Sequence, residues 1–363
     1  MLTRLDDYPI HQTPEPIAHP ATGDRNFYDR YFFNGWARDG GLFFAVALGL
    51  YPNRRVMDAA VSVVLDGRQH VLRASRLAPA EPTETAVGPI AVTVDEPLRR
   101  LRVRVAPNPH GIGGDVVFHA RTPPVEEPRF TWRVGTRVVM DSTRLTQFGT
   151  WEGTLEAGGR TLRLDRASVL GCRDRSWGVR PVGEPEAGAP GVPPQFFWLW
   201  APIHFDDCCT HFDVNEDAAG RPWHAAGMIV PLGERGEPQT MARVAHRVRW
   251  RSGTRRAARA ELELVAHGGE PQRIALEPIL TFQMLGLGYL HPTWGHGTWH
   301  GELAVEGEAW TLADLDPTDP RHLHVQQLVR ARWGAREGLG VLEQLVLGPH
   351  APSGFGSILD PAP

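Results

Sequence analysis

The chain has 363 residues and a formal net charge of -4, and all 38 of its basic side chains are arginine. Without lysine there is no phosphate-loop ammonium, no protein-kinase site, no pyridoxal Schiff base and no lysine-dependent aldolase. Mild acidity with scattered arginines argues against a nucleic-acid or anionic-membrane surface, and no apolar run approaches the roughly 20 residues that span a bilayer.

The start, MLTRLDDYPI, lacks the apolar core of a secretory signal, so a cytoplasmic location is expected. Residues 1–24, with Pro9, Pro14, Pro16 and Pro20, read as an extended arm. Beyond it, 39 Gly and 32 Pro punctuate the chain too often for long helices. The stretch Val56–Leu65 is β-branched and apolar, Asp66-Gly67 suits a tight turn, and a second strand-like run continues to Leu77, which predicts a hairpin. Similar runs follow at Leu98–Val105, Asp115–Ala120, Thr161–Leu164, Ala225–Val230, Ala242–Trp250, Glu261–Ala266 and Val325–Arg332. The glycines at 111, 113 and 114 lie in this β context and are not read as a dinucleotide loop. Cys172, Cys208 and Cys209 are odd in number and two are adjacent, so neither a disulfide framework nor a thiolate zinc site is expected.

An internal repeat sets the expected organisation. Gly149-Thr150-Trp151-Glu152-Gly153-Thr154-Leu155 matches Gly297-Thr298-Trp299-His300-Gly301-Glu302-Leu303, and Phe33–Ala37 (FNGWA) echoes Phe197–Ala201 (FWLWA). The pattern predicts two all-β halves, 25–165 and 166–350, with a tail over 351–363. Gly183–Pro194 is too rich in proline and glycine for regular structure and reads as a loop near their junction.

Three clusters carry candidate chemistry. In Gly171–Gly178, extended geometry puts Arg173, Arg175 and Trp177 on one face and Asp174 and Ser176 on the other. In Phe196–Asp206, alternation puts Trp198, Trp200, His204 and Asp206 on one face and Phe197, Leu199, Ile203 and Phe205 on the other, with His211 and Asp213 on the returning segment. That combination of aromatic walls, a His and an acid suits an apolar ligand site with a proton donor. In Tyr289–Glu302, a strand would turn Trp294, His296, Thr298, His300 and Glu302 to one side, with dense glycine on the other marking a close approach. The repeat equates His296, His300 and Glu302 with Phe148, Glu152 and Thr154, so these histidines belong to the second half alone. Two histidines and a glutamate on one face also form a conceivable metal set, joined by His322 and His324, although the spacing fits no HExxH pattern.

The tandem β halves, the Asp-Arg-Ser-Trp-Gly run (Asp174–Gly178) and the tryptophan-lined strand beyond it resemble the AttH and carotenoid 1,2-hydratase (hydroxyneurosporene synthase) superfamily. The runs Gly288–Gly297 and Gly340–Leu345 are similar to an uncharacterised bacterial group built the same way. The resemblance implies paired lipocalin-like antiparallel β-barrels or sandwiches and an apolar molecule handled near the junction. It implies that Asp174 and Trp177 occupy the junction motif, with Asp206 on the next strand as a candidate proton donor. The carotenoid hydratases have a His after the motif Asp; here Arg175 stands there, and His204 is the candidate substitute.

The leading expectation is a cofactor-independent hydratase, isomerase or cyclase acting on a hydrophobic, isoprenoid- or polyketide-like molecule. Asp206 or Asp174 would be the acid, and His296 or His300 would position or deprotonate water. Trp177, Trp198, Trp200, Arg173, Arg175, Tyr289, Trp294 and Glu302 would bind substrate. The alternatives are a lipocalin-like carrier without chemistry and a metal-dependent enzyme built on His296, His300 and Glu302. No metal or cofactor is assigned in the leading reading, and monomer and homodimer both stay open.

Overall fold

The computed structural model describes residues 1–185, 194–233 and 236–363; most of the predicted loop at 183–194 therefore lies outside the described residues. The chain is nearly all β, arranged in two large antiparallel sheets that curl toward barrels. Each predicted run forms a strand. The hairpin pairs Val56–Leu65 with Arg68–Leu77, and its turn residues Asp66 and Gly67 have φ of 50° and 74°, the positive angles that a two-residue turn demands.

The opening strand is placed in the same way in both sheets. In the first, Phe27–Ala37 pairs with the following strand Leu42–Tyr51 and with the late strand Val169–Val179. In the second, Phe196–Trp200 pairs with the next long strand, Cys208–Glu216, and with the last, Arg336–Leu347. The FNGWA and FWLWA segments therefore occupy equivalent opening strands. The longer match does not. Gly149–Leu155 lies within the 21-residue strand Arg137–Ala157, whereas Gly297–Glu302 is turn and irregular chain. Trp151 is fully buried and donates to the Asn34 carbonyl (2.9 Å), while Trp299 is 47% exposed.

The halves also interlock in a way the expected 165/166 boundary does not contain. Val169–Val179 completes the first sheet, and Leu303–Thr311, from the second half, pairs with Arg68–Leu77 at that sheet's edge. The crossover 284–302 thus leads from the second sheet to the first. The tail is not free either: Phe355 and Ala362 are buried in the second core, and Arg255 pairs with Asp360 (2.7 Å). Residues 1–24 contain one short 3-10 helix, Arg4–Asp7, and no strand.

Apolar side chains fill three layers. One core lies inside each curled sheet, and a third joins their outer faces, where Phe32, Trp36, Phe43 and Leu170 meet Trp198, Trp200, Phe282 and Leu328. Strands such as Leu42–Tyr51 are consequently buried on both faces, which is why they read as continuous apolar runs.

Candidate active site

At one end of the middle layer the sheets part around a cavity of about 730 Å³. Its aromatic wall comes from both sheets: Phe32 and Phe130 from the first, Phe196, Trp198 and Trp200 from the second. The crossover supplies Tyr289 and His296. Alternation delivers these groups as expected, since Phe197, Leu199, Ile203 and Phe205 enter the second core while Trp198 and Trp200 face the first sheet.

The motif strand divides as predicted, but the arginine face turns away from the cavity. Asp174 and Ser176 line the cavity. Arg173 points into the first barrel, where its Nε donates to Gln147 Oε1 (2.9 Å) and its guanidinium lies 5.9 Å from the Phe118 ring. Arg175 pairs with Asp29 and covers Tyr31, and Trp177 is 38% exposed. The charges facing Asp174 are instead those of Arg144 and Arg30. Asp174 has no hydrogen bond to a described residue, and burial outweighs both arginines, raising its carboxyl to about 6.

Arg144 anchors the neighbouring wall. Its Nε donates to Glu127 Oε2 (2.6 Å) and its NH2 to Asp213 Oδ2 (2.5 Å), and its guanidinium covers Trp198 at 4.9 Å. His224 donates to Asp213 as well (3.2 Å), and Thr146 to Glu127 (2.5 Å). Burial alone would raise Asp213, but Arg144 and His224 hold it below the usual carboxylate range. Glu127, His211 and Asp213 offer ligand atoms within 4.8 Å of one another. Arg144 bridges both carboxylates, so a guanidinium stands where a metal's charge would be needed.

Across the cavity, Arg30 NH1 donates to the Tyr289 hydroxyl (2.6 Å). His296 donates through Nε2 to the Leu287 carbonyl (2.8 Å) and accepts at Nδ1 from Arg180 (3.1 Å), so both nitrogens are engaged. Burial, reinforced by Arg30 and Arg180, pushes its pKa far down, so the ring is neutral. His324 donates to Glu343 (2.6 Å), which also accepts from Gln326 (2.7 Å). These bonds outweigh burial and hold Glu343 below its ordinary value.

The other expected site residues lie elsewhere. Asp206 sits in the exposed turn after Ile203–His204; eight extended residues carry it about 26 Å along the chain from Trp198. His204 is wedged between Trp36 and Phe148, donates to the Gly171 carbonyl (2.9 Å), and is pushed by burial to about 3, which makes it a neutral tie between the sheets. His300 stacks on Trp294 at 3.9 Å, Trp294 donates to Glu306, and Glu302 is exposed. His296, His300 and Glu302 therefore do not converge as metal ligands. The strand expected over 289–302 is broken by positive φ at Leu290, Gly297 and Gly301, which turns these side chains in different directions.

The sequence reading missed Arg30, Arg144, Arg180 and Glu127. One signal was present: Tyr28, Arg30, Phe32, Asn34 and Trp36 share a strand face, and Arg30 interrupts an otherwise largely apolar surface.

A sequence profile for a family of unknown function (DUF8625) matches residues 2–356. The chain belongs to that family. No curated protein matches it in sequence. Among solved structures, a "putative AttH" from Nitrosomonas europaea aligns with a TM-score of 0.55 at 13% identity, covering 93% of this chain and 98% of that one. Kievitone hydratase from Nectria haematococca aligns with a TM-score of 0.52 at 13% identity, covering 87% and 88%. At this identity the likeness concerns the fold, and the paired lipocalin-like architecture expected from Asp174–Gly178 is the one found.

Proposed function

We propose that the chain is a cofactor-independent enzyme of the hydratase, isomerase or cyclase type, acting on a hydrophobic, isoprenoid- or polyketide-like molecule held between the two sheets. The observation that carries this reading is Asp174: a carboxyl on an aromatic cavity, without a hydrogen-bond partner among the described residues and raised by burial to about 6. Such a group is protonated in about one molecule in ten at pH 7, against roughly one in a thousand for an ordinary carboxyl, and that form can give its proton to a double bond. The cation so formed would lie among the faces of Phe32, Trp198 and Trp200, whose quadrupoles favour positive charge. Arg144 opposes this little, because Glu127 and Asp213 neutralise it. Water would then add to the cation in a hydration, or a second double bond in a cyclisation, and the Asp174 carboxylate would take back the proton lost from the oxonium or from a carbon beside the new cation; in an isomerisation it would take a proton from a carbon beside the first cation. The shared architecture with a protein named as a hydratase supports the same class.

The test is Asp174→Asn. Turnover should fall by about 10²–10⁴-fold while ligand affinity, read by tryptophan quenching, stays within a few-fold. Asp206→Asn should leave both unchanged, because that side chain is exposed and off the cavity wall. Undiminished turnover in Asp174→Asn would remove the acid role, and wild-type binding without turnover across a broad panel would identify a carrier.

A further inference from the structure

The three arginines on the cavity differ in their counter-charges. Arg144 holds two carboxylates. Arg30 and Arg180 hold none within ion-pair distance among the described residues. Arg30 is only 2% exposed, and one of its donors reaches Tyr289 while Nε and NH2 have no partner among the described residues. Arg180 is half-buried, bonded through NH2 to the neutral His296, and its Nε is likewise without a partner. Both guanidinium groups surround one ring: Arg30 lies 4.9 Å and Arg180 5.8 Å from the Tyr289 centroid, and Arg180 also covers Tyr28 at 4.6 Å. Two acids interact with this pair: Asp174 with Arg30, and Asp58 with both, the latter already accepting from the Tyr51 hydroxyl (3.2 Å) and the Gly297 amide (2.7 Å). Buried cations are ordinarily paired, because removing them from water is costly. Neither acid reaches Arg30 or Arg180 within ion-pair distance and burial raises both carboxyls, so the two guanidinium groups keep unmatched positive charge at this end of the cavity, and the opposite wall is aromatic.

We infer that the Arg30–Arg180 end binds the carboxylate of an amphiphilic substrate whose apolar body lies against Phe130, Trp198 and Trp200. This deepens the proposed function, resting on its assignment of the cavity as the substrate site. Guanidinium groups suit a planar, delocalised anion better than a compact charge would. The anion then fixes the direction in which the apolar body enters, and so selects which carbon reaches Asp174.

The experiment compares naphthalene-2-acetate with its isosteric neutral amide, naphthalene-2-acetamide, by isothermal titration calorimetry on the full chain. Wild-type protein should bind the acid at least about tenfold more tightly, the scale of one charge-assisted hydrogen bond. In Arg180→Met the preference should fall below about threefold with amide affinity retained, and Arg180→Lys should restore part of it. Arg30→Met should act in the same direction. Equal binding of acid and amide by wild type, a preference that survives both Met variants, or no binding of either probe at millimolar concentration would overturn the inference. Asp174→Asn should keep the preference, so loss of the acid role and loss of the anion site are read separately.

Discussion

A carboxyl raised to about 6 makes Asp174 a liability to the fold as well as a proton donor. The folded state holds its proton more tightly than the unfolded chain, where the ordinary value is 3.8. Its contribution to stability is therefore fully present below that value and is lost as pH rises through about 6. Asp58 shifts the same way, chiefly through burial, and to a similar value. Asparagine at 174 mimics the protonated form at every pH. Asp174→Asn is thus expected to be more stable than wild type at pH 8 by about 1–3 kcal/mol, discounted for the carboxyl's contact with the cavity, and to lose that advantage toward pH 4. Urea unfolding at the two pH values checks this; a variant less stable at pH 8 would contradict the assigned environment. Asp213 illustrates the opposite arrangement: Arg144 and His224 hold it ionised, and the same burial is offset by pairing.

Among the elements, the crossover 284–302 and the strand Leu303–Thr311 do most to shape the site. Arg73 pins them to the first sheet: it is buried, donates through NH2 to the Leu285 carbonyl (3.0 Å) and pairs with Glu308. Gln69 adds two bonds to the Gln283 backbone, each 2.8 Å. Arg73→Leu removes both ties, leaving the Leu285 carbonyl with the Gly288 amide (3.0 Å) and Glu308 with Trp310 (2.9 Å), and the expected cost is about 1–3 kcal/mol. Hydrogen exchange should show protection lost in Leu303–Thr311 while Arg336–Leu347, inside the second sheet, keeps its own; uniform loss across both sheets would show that the crossover is not a separable unit. This element is also where the sequence is hardest to read. Phe196–Phe205 alternates cleanly because one face meets a core and the other an interface, so its tryptophans were placed correctly. Gly297–Leu303 copies the letters of Gly149–Leu155 but not its backbone partners, and letters do not show whether a ladder partner is present. The significance of Arg30 and Arg180 was hidden for a related reason: an unpaired charge is defined by what distant strands fail to bring near it.

At the scale of the molecule, two cores suggest two folding units, and the sequence pattern favours that view. The interlocking opposes it. The middle layer is itself a buried apolar cluster, and its Phe32, Trp36, Phe43, Trp198 and Trp200 would face water if the sheets separated. Buried polar ties cross the same surface: Asn34 donates to Gln326 (3.1 Å), His204 to the Gly171 carbonyl, and Arg144 to Asp213. Finally, the edge of the first sheet is completed by Leu303–Thr311, which the chain reaches only after most of the second sheet. Neither sheet can therefore lose its structure without exposing the other's outer face and unpairing a strand. Calorimetry of the full chain should give a single transition whose van't Hoff and calorimetric enthalpies agree within about 10–15%, the test of two-state unfolding. Two resolved peaks, with the first erasing the protection of only one sheet, would show that the middle layer is a weak contact between independent domains. In that case the cavity would depend on docking of the halves, and ligand should then raise the lower transition alone.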